Sequence, residues 1–162
     1  MAVHAFLTFF ESADGESLRK GHEKWIEVHA WDWEVEAVSG GLGGGGGAGK
    51  PRPGALNWSH RYDAASDFLL RSLITEVTVP KAQLQVYRGG AKDVLYLTIT
   101  MEDVRILRLA DSAGDDGATQ QQVAMEFATI TLEYRRQSPT GSVEPVQTLN
   151  WDIPAGTVSP SA

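Results

Sequence analysis

A chain of 162 residues with 42% hydrophobic and 22% charged residues has the make-up of one packed domain, which excludes a wholly disordered or low-complexity protein. Lys and Arg number 14 against 21 Asp and Glu, a formal net charge of -7 that is the wrong sign for gripping phosphate backbones or anionic lipid, so neither a nucleic-acid partner nor membrane insertion is expected. Cysteine is absent, which removes disulfides, thiolate metal sites and cysteine nucleophiles together.

The apolar run Ala5, Phe6, Leu7, Phe9 and Phe10 has no Lys or Arg before it and stops at Glu11. It reads as a strand and not as a signal peptide, and no window reaches the ~20 apolar residues of a membrane span. A second strand is predicted over 25–38, with Ile26, Val28 and Ala30 on one face and Trp31, Trp33 and Val35 on the other. Residues 39–54 are mostly glycine and predict a flexible arm.

A strand over 56–62 follows, then a helix over 64–72 with Asp63 as its N-cap and either Phe68, Leu69 and Leu73 or Leu70 and Ile74 as its apolar stripe. Ala82, Leu84 and Val86 alternate with Gln83 and Gln85, and Arg88, Gly89, Gly90 and Ala91 turn that strand into the run from Val94 to Met101. The second arm of this hairpin continues through Val104, Ile106, Leu107 and Leu109. That is long for one strand, so a bend or bulge is expected near Glu102 and Asp103.

An acidic loop is predicted over 111–117. The run 123–134 places Val123, Met125 and Phe127 on one face and Ala128, Ile130, Leu132 and Tyr134 on the other, as in a strand that passes from one sheet into another at a barrel corner. A turn at 138–141 leads to a last strand over 143–151, and 155–162 reads as a C-terminal tail. The fold class is mainly β, one domain over 1–162.

Gly44 to Lys50 spells G-x-x-x-x-G-K, but Pro51 stands where a phosphate-binding loop needs Ser or Thr for magnesium, and no buried strand precedes it. No nucleotide cofactor is expected. His22 and Glu23 open like a zinc protease motif, yet Ile26 occupies the second histidine position, and His4, His29 and His60 lie in other segments, so no metal is expected. No catalytic constellation is found. The five tryptophans, Trp25, Trp31, Trp33, Trp58 and Trp151, could line a sugar platform; core or subunit-interface packing is the stronger reading.

Read in order, several segments resemble the haemolysin-coregulated proteins (Hcp), the tube subunits of type VI secretion. These are Gly15-Glu16-Ser17, His22, Ile26-Glu27-Val28, Trp31-Asp32-Trp33, Asp63-Ala64-Ala65-Ser66, Pro80-Lys81-Ala82-Gln83-Leu84, Glu102-Asp103-Val104 and Trp151-Asp152-Ile153. Gly43, Gly44, Gly45, Gly46, Gly47, Ala48, Gly49 and Lys50 match the family's glycine arm, and Pro51 and residues 75–79 depart from its pattern.

The resemblance implies a small β-barrel of two packed sheets with one flanking α-helix and a long glycine-rich loop. It also implies six copies closing into a ring, rings stacking into a tube, and effector proteins carried in the lumen, with the type VI sheath, baseplate and spike proteins as partners. The subunit would be made in the bacterial cytoplasm and secreted without a cleavable signal, and it is not an enzyme. On the same resemblance the arm is an assembly contact and Asp32 a lumen contact for cargo, one that favours basic or polar surfaces. Tail tubes of phages and of extracellular injection particles share the barrel, and a monomeric carbohydrate-binding β-sandwich is the more distant alternative.

Overall fold

The computed structural model describes residues 4–37, 49–89, 93–137 and 143–161. Along them run β1 (Ala5–Thr8), a 3-10 turn (Phe10–Ser12), β2 (Ile26–Val28), β3 (Ala30–Asp32), β4 (Val35–Glu36), β5 (Arg52–Pro53) and β6 (Leu56–Arg61). After these come α1 (Ser66–Thr75), β7 (Val79–Arg88), β8 (Val94–Ala113), β9 (Thr119–Glu126), β10 (Thr129–Gln137), β11 (Val143–Asp152) and β12 (Thr157–Ser161).

One circuit of hydrogen-bonded strands encloses the core. β1 pairs with β2 and β7, β7 with β8, β8 with β9, β9 with β6, and β6 with β3, every pair antiparallel. β3 continues β2 through the single residue His29, whose N–H donates to Ser59 O at 2.9 Å. Two sheets therefore meet at bent strands, and Leu7, Ile26, Leu56, Leu84, Ile99, Met101, Met125 and Ile130 fill the space between them.

β8 is the strand the two sheets share. Its first half lies between β7 and β10, and from Arg105 onward it pairs with β9. The change of sheet follows the left-handed residue Asp103, at φ 54, where the bend was expected. A second irregularity sits between Ile106 and Arg108. Aspartate tolerates left-handed backbone because its short polar side chain can bond locally, whereas a β-branched residue cannot take it without strain.

A change of sheet also corrects the strand predicted over 25–38, which is three pieces. Ile26 and Val28 are buried in the first sheet; past His29 the inward parity flips, so Trp31 and Trp33 pack on the core while Ala30 and Asp32 are exposed. The pattern of apolar groups on both faces is thus one inward face seen in two successive sheets. The run 123–134 is likewise broken, into β9 and β10. Phe127 is buried at the break and Ala128 donates its N–H to Glu102 O at 3.0 Å.

Other boundaries move for local reasons. Asp63 Oδ1 accepts the Ala65 N–H at 2.9 Å and Asp63 N–H donates to Ser66 Oγ at 3.0 Å, a reciprocal turn that starts α1 at Ser66 instead of residue 64. Leu69 is the buried residue of the stripe, with Phe68 and Leu73 beside it, and Leu70 and Ile74 face outward. β8 extends through Ala113, which leaves only a tight turn of the acidic loop expected over 111–117, closed by Gly117 N–H on Gly114 O. Residues 157–161 of the expected tail form β12 on β11. Within the segment 39–54, residues 39–48 lie outside the described residues, and Arg52–Pro53 pairs with Val35–Glu36.

Beyond β8 the first sheet continues as β10, β11 and β12. The row Leu7, Leu84, Ile99, Leu132, Leu149, Pro160 keeps one face apolar across six strands, with Ile130, Trp151 and Val158 beside it. Its first members are fully buried, whereas Leu149 is 41% and Val158 56% exposed.

The bend in β8 makes a specific demand on residue 103. Asp103→Val is expected to lower stability by about 1–3 kcal/mol, while Asp103→Gly stays close to the parent. Urea unfolding of both variants checks this, and equal losses would show that the backbone angle is not what Asp103 supplies.

Candidate functional site

Inward tryptophans decide what the second sheet shows to the outside. Trp31, Trp58, Val123 and Leu109 stand opposite one another across β3, β6, β9 and β8 and turn inward. By alternation, Ala30 and Asp32, Asn57 and Ser59, Gln122 and Ala124, and Arg108 and Ala110 turn outward. Asp32, Asn57, Ala124 and Arg108 form one row, and Ala30, Ser59, Gln122 and Ala110 the next.

Ala30, Asp32, Asn57, Ser59, Arg108 and Gln122, together with Trp31, Trp58 and Val123, line a shallow hollow of about 320 Å³. Asn57 Nδ2 donates to Asp32 Oδ1 at 2.9 Å, which fixes the carboxylate at one edge. A second hollow of about 410 Å³ continues along the same strands, lined by Glu16, Glu27, His29, Arg61, Tyr62 and Asp63 among others. Burial, and after it the cation of Arg61, hold His29 below its ordinary value of 6.5, against an upward pull from Glu27.

The inward side of this wall also carries a buried polar chain. Gln121 Nε2 donates to Asp111 Oδ1 at 2.8 Å, so its Oε1 faces His60 Nε2, also at 2.8 Å. A carboxylate only accepts, so Nε2 is the protonated nitrogen of His60, and Nδ1 lies 3.6 Å from Asp63 Oδ1. The other buried histidine, His22, stacks on Phe6 with ring centroids 4.6 Å apart and places Nε2 2.8 Å from Gln85 Oε1. Both are locked into packing on different sheets, and no group of three metal-ligating side chains occurs among the described residues.

The two expected site features fare differently. Asp32 is exposed, opposite in direction to Trp31 and Trp33. Of the arm, Gly43, Gly44, Gly45, Gly46, Gly47 and Ala48 lie outside the described residues, and Gly49 and Lys50 lead into Pro51 and β5. The root of the arm is tied beside Asp32, because Trp33 Nε1 donates to Gly54 O at 3.1 Å and Gly54 N–H to Glu34 O at 2.8 Å.

The tryptophans form no exposed platform: Trp58 is buried, Trp31, Trp33 and Trp151 pack on the core, and Trp25 meets His22 edge-on. Asn57, Ser59 and Gln122 could have been placed with Asp32 by alternation from Trp58 and Val123. Arg108 could not, since the irregularity after Ile106 resets its parity.

The folded state disfavours a proton on His29 that the unfolded chain accepts near 6.5. Its contribution to stability is therefore absent above 6.5 and becomes a loss as pH falls from there through the folded value. An NMR titration should find the His29 midpoint below 6.5 and find it raised in Arg61→Gln; a midpoint at or above 6.5 in the parent would contradict the assignment.

Residues 6–134 match a family model described as "Type VI secretion system effector, Hcp". Among solved structures, Hcp1 from Salmonella typhimurium is 25% identical with a TM-score of 0.77, the match covering 98% of this chain and 100% of that one. A structure described as a type six secretion system protein superposes with a TM-score of 0.86 at 20% identity, covering 98% and 100%. A type VI secretion system effector from Yersinia pestis gives 0.73 at 23%, covering 92% and 99%. No curated protein matches the chain significantly.

Proposed function

The chain belongs to the Hcp family of type VI secretion, a structural family of the secretion machinery and not an enzyme family, and from that membership we propose that it builds the expelled inner tube. Six copies close into a ring, rings stack, and effector proteins travel in the lumen. The sheath, baseplate and spike proteins are its partners, and that machinery exports it from the bacterial cytoplasm. No helix among the described residues is long and apolar enough to cross a membrane.

The observation that carries this reading is the apolar face of β10, β11 and β12. Leu132, Leu149, Trp151 and Val158 continue the core beyond the strands that enclose it. A monomer gains nothing from an uncovered continuation of its own core, whereas a subunit in a ring buries it against the next copy. Among the described residues β12, the last strand of that sheet, has one side unpaired, a liability that a neighbouring copy would cover. In the ring the outward face of β3, β6, β9 and the end of β8 is the channel wall, with Asp32 repeated six times, and the glycine arm bears on a neighbour.

Native mass spectrometry of the full chain is expected to give a hexamer. Leu149→Asp should keep the parent circular dichroism and shift the chain to monomer, because a charge on that face cannot be buried against another copy. A monomeric parent, or a fully hexameric Leu149→Asp, would count against the reading. Deleting 41–47 should leave the barrel folded and weaken ring or tube formation, visible by electron microscopy; a deletion that unfolds the chain, or assembles like the parent, would speak against the arm as an assembly contact.

A further inference from the structure

Asp32 taken alone points to basic cargo; the hydrogen-bonding inventory of its face points the other way. Within the first hollow, Asp32 already has one oxygen occupied by Asn57. Ser59, Gln122 and Arg108 line the same hollow, and among the described residues none of their side chains makes a hydrogen bond or ion pair. Arg108 is exposed, one strand from Gln122, and its planar fork of five donors has no acceptor among the described residues. The neighbouring Arg105 is not equivalent, since Glu126 faces it across the ladder at 3.9 Å.

Unused capacity in the hollow comprises the donor-only guanidinium of Arg108, an amide and a hydroxyl that can each donate and accept, and the remaining oxygen of one carboxylate, so the unmatched surplus is the arginine fork. A ligand that completes it brings acceptors, and a carboxylate matches the fork of an arginine in a bidentate way. We propose that this hollow is a subsite for side-chain carboxylates of cargo polypeptides, anchored by Arg108, with Gln122 and Ser59 as auxiliary donors. The proposal rests on reading this face as the channel wall, where sixfold repetition turns a weak exposed contact into a usable one. The overall acidity of the chain does not oppose it at physiological salt, because screening over about 8 Å leaves the groups within the hollow in control.

Fluorescence anisotropy with the full chain at physiological salt tests it, using labelled, C-terminally amidated octapeptides of Glu, Gln and Lys and a Gln octapeptide with a free terminus. The Glu peptide is expected to bind at least about fivefold more tightly than the amidated Gln peptide, since several subsites act on one strand. Arg108→Gln should abolish that preference, Arg108→Lys should restore part of it, and Asp32→Asn should leave or strengthen it.

Equal binding of Glu and Gln peptides, preference for Lys, or an Arg108→Gln variant that keeps the preference would overturn the proposal. So would a free-terminus Gln peptide that binds as well as Glu, which would assign the hollow to chain ends, or a single-stranded oligonucleotide bound more tightly through Arg108. Native mass spectrometry on the same samples separates the two readings: a hexamer without carboxylate preference refutes this subsite alone. A monomer refutes the ring, while its own Arg108-dependent preference still decides the subsite.

Discussion

The left-handed backbone at Asp103 is the constraint on which the rest of the barrel depends. One strand of 20 residues has to serve two sheets, and it can do so only if it turns without losing its ladder on either side. Before the turn β8 gives its edges to β7 and β10; after it, to β9. The closed circuit, the wall that displays Asp32 and Arg108, and the extension that carries Leu149 and Val158 are all reached from that single strand.

A wall built this way separates chemistry by parity. Bulk and polarity that need shelter, such as Trp58, His60 and Gln121, alternate with small or hydrophilic groups such as Ser59, Asn57 and Gln122. The inward tryptophans fill the barrel beneath the hollow, so its floor is stiff while its lining mixes polar and apolar groups. Trp31, Trp58 and Val123 also line the hollow, so its polar groups stand around an apolar floor.

Much of this was legible before the fold was known. The hairpin of β7 and β8 follows from Gln83 and Gln85 alternating with Ala82, Leu84 and Val86, and the bend from a run too long for one strand. The outward direction of Asp32 follows from two flanking tryptophans. What stayed hidden depends on partners far away in the chain. His29 reads as one more strand residue until Ser59 O is seen to take its N–H, and a two-faced apolar run looks the same whether it is covered on both sides or changes sheet. β12 carries Pro160 and hydroxyl residues, so little in it advertises a strand until β11 pairs with it. Arg108 escaped because an irregularity in β8 shifts its parity, and irregularities of that kind are set by the match between two strands.

The circuit of strands also dictates the order in which the molecule can be made. β1 leaves the ribosome well before β7, yet β7 is one of its two partners, with Ala5 facing Val86. Until that distant segment has been synthesised, β1 has a single ladder with β2, and its buried side chains Phe6 and Leu7 have no complete core to enter. The hairpins β7–β8, β8–β9 and β10–β11 close over short separations and can form as they emerge, so the slow step is the return of the N-terminal strand to a sheet assembled after it. During that interval the growing chain exposes an apolar strand with a free edge, which makes the time between the synthesis of β1 and that of β7 the window in which a chaperone would matter most to this protein.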